Sequence, residues 1–308
     1  MLKSLFIIKW STIVKLAIIG AGKWGQALYH AYSQKNEVVI TSRNVKDIEN
    51  FVSLDKALEY QYLIIAIPAQ EVRNWMSNYF IDKGQNILVA SKGIETSTGA
   101  FLNEVYGEFL SLDRVAFISG PSFALEVLQS LPTALKISSS NLELATIYSD
   151  AFPDYIKGYV DSDVIGAEVA GAYKNVIAIA SGVCDGLELG NNARAALISR
   201  GLVEMTRFGE YFGAKVETFL SLGGAGDLFL TASSKLSRNY RVGLGLSQGK
   251  SIDDILEELG EVAEGIPTTK ALFNIAKRKN IYLPIAREVY NMLGGKEPFL
   301  SVNDLLHN

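Results

Sequence analysis

The chain has 308 residues, of which 48% are hydrophobic and 20% charged, the balance of an ordinary globular protein with room for two domains of about 150 residues. A net charge of -4 argues against a general nucleic-acid binder or a protein held electrostatically to anionic membranes, while a local basic pocket for a phosphate stays compatible with it. One cysteine, Cys184, rules out an intrachain disulfide, fits a reducing, cytoplasmic setting, and is expected to fill core space rather than act as a nucleophile.

The opening stretch carries Lys3 and a short apolar run at 5–8, but Lys9 interrupts it. No small-residue cleavage site follows, so residues 1–13 read as an extension outside the fold and not as a secretion signal. No stretch reads as a membrane span either, because the apolar segment 164–183 carries Glu168 and Lys174.

Residues 15–20, KLAIIG, form an apolar run that feeds into GAGKWG, after which Trp24, Ala27, Leu28, Ala31 and Tyr32 recur at helical spacing. Strand, glycine loop, helix is the expected order. In that context Gly20 serves a tight turn, Gly22 lets the backbone approach a diphosphate, and Gly25 lets helix and strand pack closely. The helix N-terminus supplies N–H groups and a positive dipole to the same anion. The bland alternative is a tight turn between two packed elements.

A second strand is expected at 37–41. Enzymes that bind NAD commonly place an acidic residue near its end, to hold the ribose 2'-hydroxyl. Here Thr41, Ser42 and Arg43 stand there, and an arginine without a carboxylate tolerates a 2'-phosphate. NADPH is therefore expected to be accepted, with its preference over NADH left open. A solvated loop arginine is the other reading.

Further apolar runs at 62–67, 86–90, 115–119 and 133–137 alternate with helical segments, which predicts an α/β fold with a doubly wound, largely parallel sheet. Such sheets bind ligands beyond the carboxyl ends of their strands. That singles out Pro68, Ala69 and Gln70, then Ser91, Lys92 and Gly93, then Gly120, Pro121 and Ser122. Lys92 falls where nicotinamide and substrate would meet. A last strand is expected at 155–160, after which the chain turns helical, with helices expected at 192–212, 251–259, 268–279 and 285–293. This divides it into a dinucleotide-binding domain, 14–160, and a mainly α-helical substrate and catalytic domain, 161–308.

From 164 to 183 nearly every residue is small or apolar, which predicts a helix packed on all sides, with Glu168 and Lys174 its only charges. A lysine there must be paired or face a polar cavity, and burial lowers its pKa, which makes Lys174 a candidate acid/base. The alternatives are a lysine that snorkels to the surface or one held by Glu168. Residues 221–249 follow with Gly223, Gly224 and Gly226, read as a flexible loop that presents Asp227, and then Ser237, Arg238 and Asn239. Guanidinium, amide and hydroxyl donors suit a phosphate dianion. A surface turn with a capping aspartate is the alternative.

Taken together, GAGKWG at 20–25, SKGIE at 91–95, GPSFALE at 120–126, the KNVIAIASGVCDGL stretch and GGAGD through SRNYRVG make the chain closely similar to NAD(P)-dependent glycerol-3-phosphate dehydrogenases of the bacterial type. The similarity runs in unbroken order from residue 14 to beyond 265. It implies a Rossmann-like N-terminal domain, a helical C-terminal domain, and interconversion of dihydroxyacetone phosphate and sn-glycerol 3-phosphate for phospholipid synthesis in the cytoplasm. By the family pattern Lys174 looks like the proton donor and acceptor. Lys92, Gly120, Ser122, Lys174, Asp227, Ser237, Arg238 and Asn239 match substrate positions. Gly20, Gly22, Lys23, Trp24, Gly25, Arg43, Lys92, Ala124, Arg238, Val262 and Glu264 match cofactor positions. Two departures stand out: Lys23 replaces a residue that is often serine, and the family usually lacks the N-terminal extension.

Many hydroxyacid dehydrogenases use a histidine as acid/base, but His30 lies on the first helix and His307 is penultimate. A lysine is expected in that role, with Asp227 orienting Lys174, Lys92 polarising the carbonyl, and Arg238 and Asn239 holding the phosphate. The sequence is compatible with a homodimer, and no metal is expected. A β-hydroxyacid dehydrogenase of the same two-domain design is the nearest rival. A nucleotide-sensing protein without turnover is the more distant one.

Overall fold

The computed structural model describes residues 13–307; residues 1–12 of the expected extension, and Asn308, lie outside the described residues. The first half alternates β1 (Lys15–Ile19), α1 (Lys23–Tyr32), β2 (Glu37–Thr41), α2 (Leu54–Ala57), β3 (Tyr62–Ile65), α3 (Val72–Tyr79), β4 (Asn86–Val89), α4 (Leu102–Gly107), β5 (Val115–Ser119), α5 (Ala124–Leu128), β6 (Thr133–Ser138), α6 (Leu142–Asp150) and β7 (Ile156–Asp161). The second half is helical: α7 (Val164–Gly186), α8 (Gly190–Tyr211), α9 (Val216–Phe219), α10 (Asp227–Ala232), α11 (Arg238–Ser247), α12 (Ile252–Leu259), α13 (Gly265–Lys279), α14 (Pro284–Leu293) and α15 (Pro298–His307).

The strands form one sheet in the order β2-β1-β3-β4-β5-β6-β7. Strands β1 to β5 are mutually parallel, whereas β6 runs antiparallel to β5 and β7 parallel to β6. Parallel strands covered on both faces need apolar side chains on both. Accordingly Leu16 and Ile18 enter one layer of core while Ala17 and Ile19 enter the other. The chain leaves β1 for β2 on one side and returns to β3 on the other. That reversal opens a crevice above the carboxyl ends of β1 and β3, where such sheets take their ligands.

The helical half is built around α7, whose residues 166–184 are all buried. Asp163 starts it: Oδ1 accepts from Gly166 N at 2.9 Å, and Oδ2 accepts from Lys215 N at 2.9 Å and Thr218 Oγ1 at 2.6 Å. One carboxylate thus caps α7 and ties it to α9. Further along, α7 and α11 touch backbone to backbone, since a Cβ at Gly182 would run into the Tyr240 carbonyl and one at Gly243 into the Ile179 carbonyl. Ile94 and Phe101, which follow β4, join this helical core, so the two halves share buried apolar contacts.

Three expectations need correction. The stretch 222–226 is one turn of π-helix that runs directly into α10, with Gly223 and Gly224 buried, and not a flexible loop. Contact with Phe219 leaves no room for a side chain at Gly224. Residues 238–247 form a full helix that the glycine content had hidden, and α15 was not expected at all. Strand β3 ends at Ile65 and β4 at Val89, short of the apolar runs.

Candidate active site

The glycine turn after β1 has the shape a dinucleotide requires. Gly20 takes φ +109°, and a Cβ there would lie against the backbone of Ala66. Open space lies where a Cβ on Gly22 would stand. A Cβ on Gly25 would collide with the Gly20 carbonyl, so this residue sets the distance between α1 and the turn. The first turn of α1 carries no side-chain cap, which leaves its N–H groups free for an anion. Trp24 Nε1 is buried without a partner among the described residues. These residues fit the diphosphate of NAD(P).

The three residues expected to perform the chemistry meet at one point. Lys92, in the loop after β4, donates from Nζ to Asp227 Oδ2 at 2.7 Å, and Lys174 donates to Oδ1 of the same carboxylate. Lys174 Nζ also donates to Thr231 Oγ1 at 2.9 Å. The Asp227 side chain is 1% exposed, Lys174 9% and Lys92 19%, so Lys92 stands at the opening and the other two behind it. The Lys92 stem packs over Gly171 on α7, where a Cβ would lie 3.4 Å from Lys92 Cγ. Two ammonium groups on one buried carboxylate leave an excess positive charge. Burial, then the repulsion of Lys92, outweigh the pull of Asp227 and bring the Lys174 pKa down to about 7. Burial pushes Asp227 up, but the two lysines prevail and hold it below its usual range. Glu168 is not the partner of Lys174. It lies over the start of α4, Oε1 accepting from Asn103 N at 2.9 Å, and burial pushes its pKa up to about 8.

The remaining expected residues stand on other elements. Ser237 caps α11, its Oγ accepting from Tyr240 N at 3.2 Å, and Arg238 is the first residue of that helix. Asn239 Oδ1 accepts from Gly265 N at 2.9 Å, which leaves its Nδ2 as the group able to donate to a ligand. Glu264 Oε1 accepts from Ala69 N at 3.1 Å, joining α13 to the loop after β3. Its Oε2 has no partner among the described residues. Ser122 Oγ donates to the Gly120 carbonyl at 3.1 Å, and Ala124 begins α5. Val262 is half exposed, and Arg43 is exposed beyond β2. Among the described residues no ion pair joins Arg43 to Asp227, and Ser122 Oγ bonds the Gly120 carbonyl rather than the lysine cluster.

Three participants were missed in the sequence. Thr231 lies one turn after Asp227 on α10 and touches the same ammonium; its i+4 spacing was a usable signal. Lys46 donates to the Ala21 carbonyl of the glycine turn at 2.7 Å. Glu261 meets both Lys23, at 2.5 Å, and Arg238, at 3.3 Å. Neither of the last two carried a sequence signal, because both lie in irregular segments. Among the described residues no cluster of candidate metal ligands occurs, and no helix is long and apolar enough to cross a membrane.

Comparison with known proteins gives one answer. Residues 46–145 match the NAD-dependent glycerol-3-phosphate dehydrogenase N-terminus and residues 163–303 its C-terminus. A glycerol-3-phosphate dehydrogenase (NAD(P)+) of Sulfurimonas denitrificans is 60% identical over 294 residues, 96% of this chain and 99% of the relative. The enzyme of the same name from Campylobacter lari is 59% identical over 293 residues, 95% and 98% of the two chains. The crystal structure of a glycerol-3-phosphate dehydrogenase from Coxiella burnetii superposes with a TM-score of 0.88 at 33% identity, covering 96% of this chain and 99% of that one.

Proposed function

Since the chain belongs to the NAD(P)-dependent glycerol-3-phosphate dehydrogenase family, we propose that its chemistry is carried by the buried Lys174–Asp227–Lys92 cluster, with Lys174 as the acid/base. It is an NAD(P)-dependent oxidoreductase acting on the CH–OH group of glycerol 3-phosphate. The reaction assigned to it is the reversible reduction of dihydroxyacetone phosphate to sn-glycerol 3-phosphate, in the cytoplasm and in support of glycerophospholipid synthesis. The state of association, monomer or homodimer, is read by sedimentation.

The single observation that carries the reading is the Asp227 carboxylate shared by two ammonium groups. Gly20, Gly22, Lys23, Trp24 and Gly25 would hold the cofactor diphosphate; Arg43, Lys92, Ala124, Arg238, Val262 and Glu264 complete its site. When bound, the nicotinamide supplies the hydride for the ketone carbon. Lys174 gives its proton to the carbonyl oxygen and is left as a neutral amine, a state that its pKa of about 7 makes accessible. Lys92, nearer the opening, donates to the same oxygen and favours the charge that develops on it. Asp227 fixes both nitrogens. Arg238 and the Nδ2 of Asn239, with Ser237, Gly120 and Ser122, hold the phosphate and orient the ketone. In the reverse direction neutral Lys174 takes the proton back.

The test is a spectrophotometric assay of NADPH and NADH consumption with dihydroxyacetone phosphate, run beside 3-hydroxyacids with the oxidised cofactors. Turnover on the triose phosphate alone supports the assignment. Turnover only on 3-hydroxyacids would move the chain's chemistry to that class, and cofactor binding without turnover would make it a sensor.

A further inference from the structure

Glu261 collects cations from two different parts of the chain. Lys23, whose Nζ lies 2.5 Å from its Oε1, opens α1 directly after the glycine turn; Arg238, whose Nη1 lies 3.3 Å from its Oε2, opens α11. Arg241 on the same helix adds a third positive charge, and its Nε is buried without a partner among the described residues. Burial pushes the Glu261 pKa up, but these cations outweigh it and keep the carboxylate ionised. Its side chain is 23% exposed, against 74% for Lys23 and 42% for Arg238. Ion pairs this open to solvent shift a folding equilibrium by a factor of about two to five at most, so fold stability gives little reason for the arrangement.

The place of the pair gives a better reason. Helix α1 begins where a dinucleotide fold seats its diphosphate, and a lysine at its first residue faces the same anion. An open hollow of about 430 Å³, lined by Leu256, Val262, Ala263, Ile266 and Pro267, lies beside Glu261, so the carboxylate can swing away without displacing packed side chains. We infer that Glu261 is an internal competitor for the cofactor diphosphate: in the free enzyme it neutralises Lys23 and Arg238, and NAD(P)H binds by displacing it. This inference rests on the cofactor site proposed above. Because the diphosphate is common to both nicotinamide cofactors, Glu261 sets affinity for NADH and NADPH alike and does not discriminate the 2'-phosphate.

The measurement is the Kd of NADPH and of NADH by fluorescence titration at low ionic strength, with inorganic pyrophosphate as a competing probe, for wild type, Glu261→Gln and Glu261→Ala. Both variants are expected to bind both cofactors about three- to fivefold more tightly, and pyrophosphate to compete more strongly in each. In a Lys23→Ser background the gain should shrink, since one contested cation is gone. Unchanged or weaker binding in both variants would overturn the inference and make Glu261 a structural tie. A gain confined to NADPH would overturn it too, by placing the carboxylate at the 2'-phosphate. Failure of wild type to bind either cofactor would remove the cofactor reading itself.

Discussion

Asp227 and Lys174 lie 53 residues apart in sequence, yet they form an ion pair with both side chains almost wholly out of water. The pair is not neutral, because Lys92 binds the other oxygen of the same carboxylate. Burial lowers the pKa of Lys174, and the repulsion of Lys92 lowers it further against the pull of Asp227.

Replacing Lys174 by alanine removes the proposed proton source and leaves the glycine turn untouched. We expect kcat to fall by about 10²- to 10⁴-fold with the Kd of NADPH, from fluorescence titration, unchanged. A loss below about tenfold would assign the proton transfer to another group.

The pH dependence has a definite sign. Reduction needs Lys174 charged, so its rate should fall as pH rises through about 7; oxidation needs the neutral amine and should rise through the same point. Asp227→Asn removes the attraction that raises this pKa, so the transition in both profiles should move to lower pH. Leaving the buried Lys174 ammonium without its carboxylate should also cost about 3–5 kcal/mol of stability at a pH where it stays charged, read by denaturant unfolding. A transition that stays in place would sink the pairing.

Arg43 is exposed just beyond β2, and its neighbours Ser42 and Asn44 carry no charge. Arg43→Ala is expected to lower kcat/KM for NADPH about tenfold or more, the worth of a charge-assisted contact, and to leave NADH nearly unaffected. Equal values for the two cofactors in wild type and variant would reduce Arg43 to a solvated side chain.

Arg238→Ala should raise the KM for the phosphate-bearing substrate far more than it lowers kcat, because the role proposed for it is to hold the phosphate rather than the reacting carbon. A KM left where it was would count against that role.

Gly182→Ala tests the packing that carries the site. Its Cβ would enter the Tyr240 carbonyl at the α7–α11 contact, so unfolding should become easier by about 1–3 kcal/mol, seen as a lower Tm. An unchanged Tm would mean that the two helices separate without cost.

Much of this was legible along the chain because the signals are local. Apolar runs ended by glycine announce β1 and its turn, and the apolar segment 164–183, with two charges, must be a buried helix whatever surrounds it. The helical character of 222–226 and 238–247 was concealed, since glycines that permit close packing look the same in sequence as glycines that loosen a loop. Glu261 lies in an irregular segment, where no period marks a contact.

By itself the sequence determined the class of the fold, the dinucleotide turn, and a lysine that burial would make reactive, because backbone propensity and apolar periodicity act within a few residues. It left two partners open for that lysine, Glu168 six residues before it and Asp227 far beyond. Only the tertiary structure chose between them. Folding the π-turn against α7 carries Asp227 to Lys174, while Glu168 is turned toward the start of α4. Charges act through space, and which charges become neighbours is decided by how the helices pack.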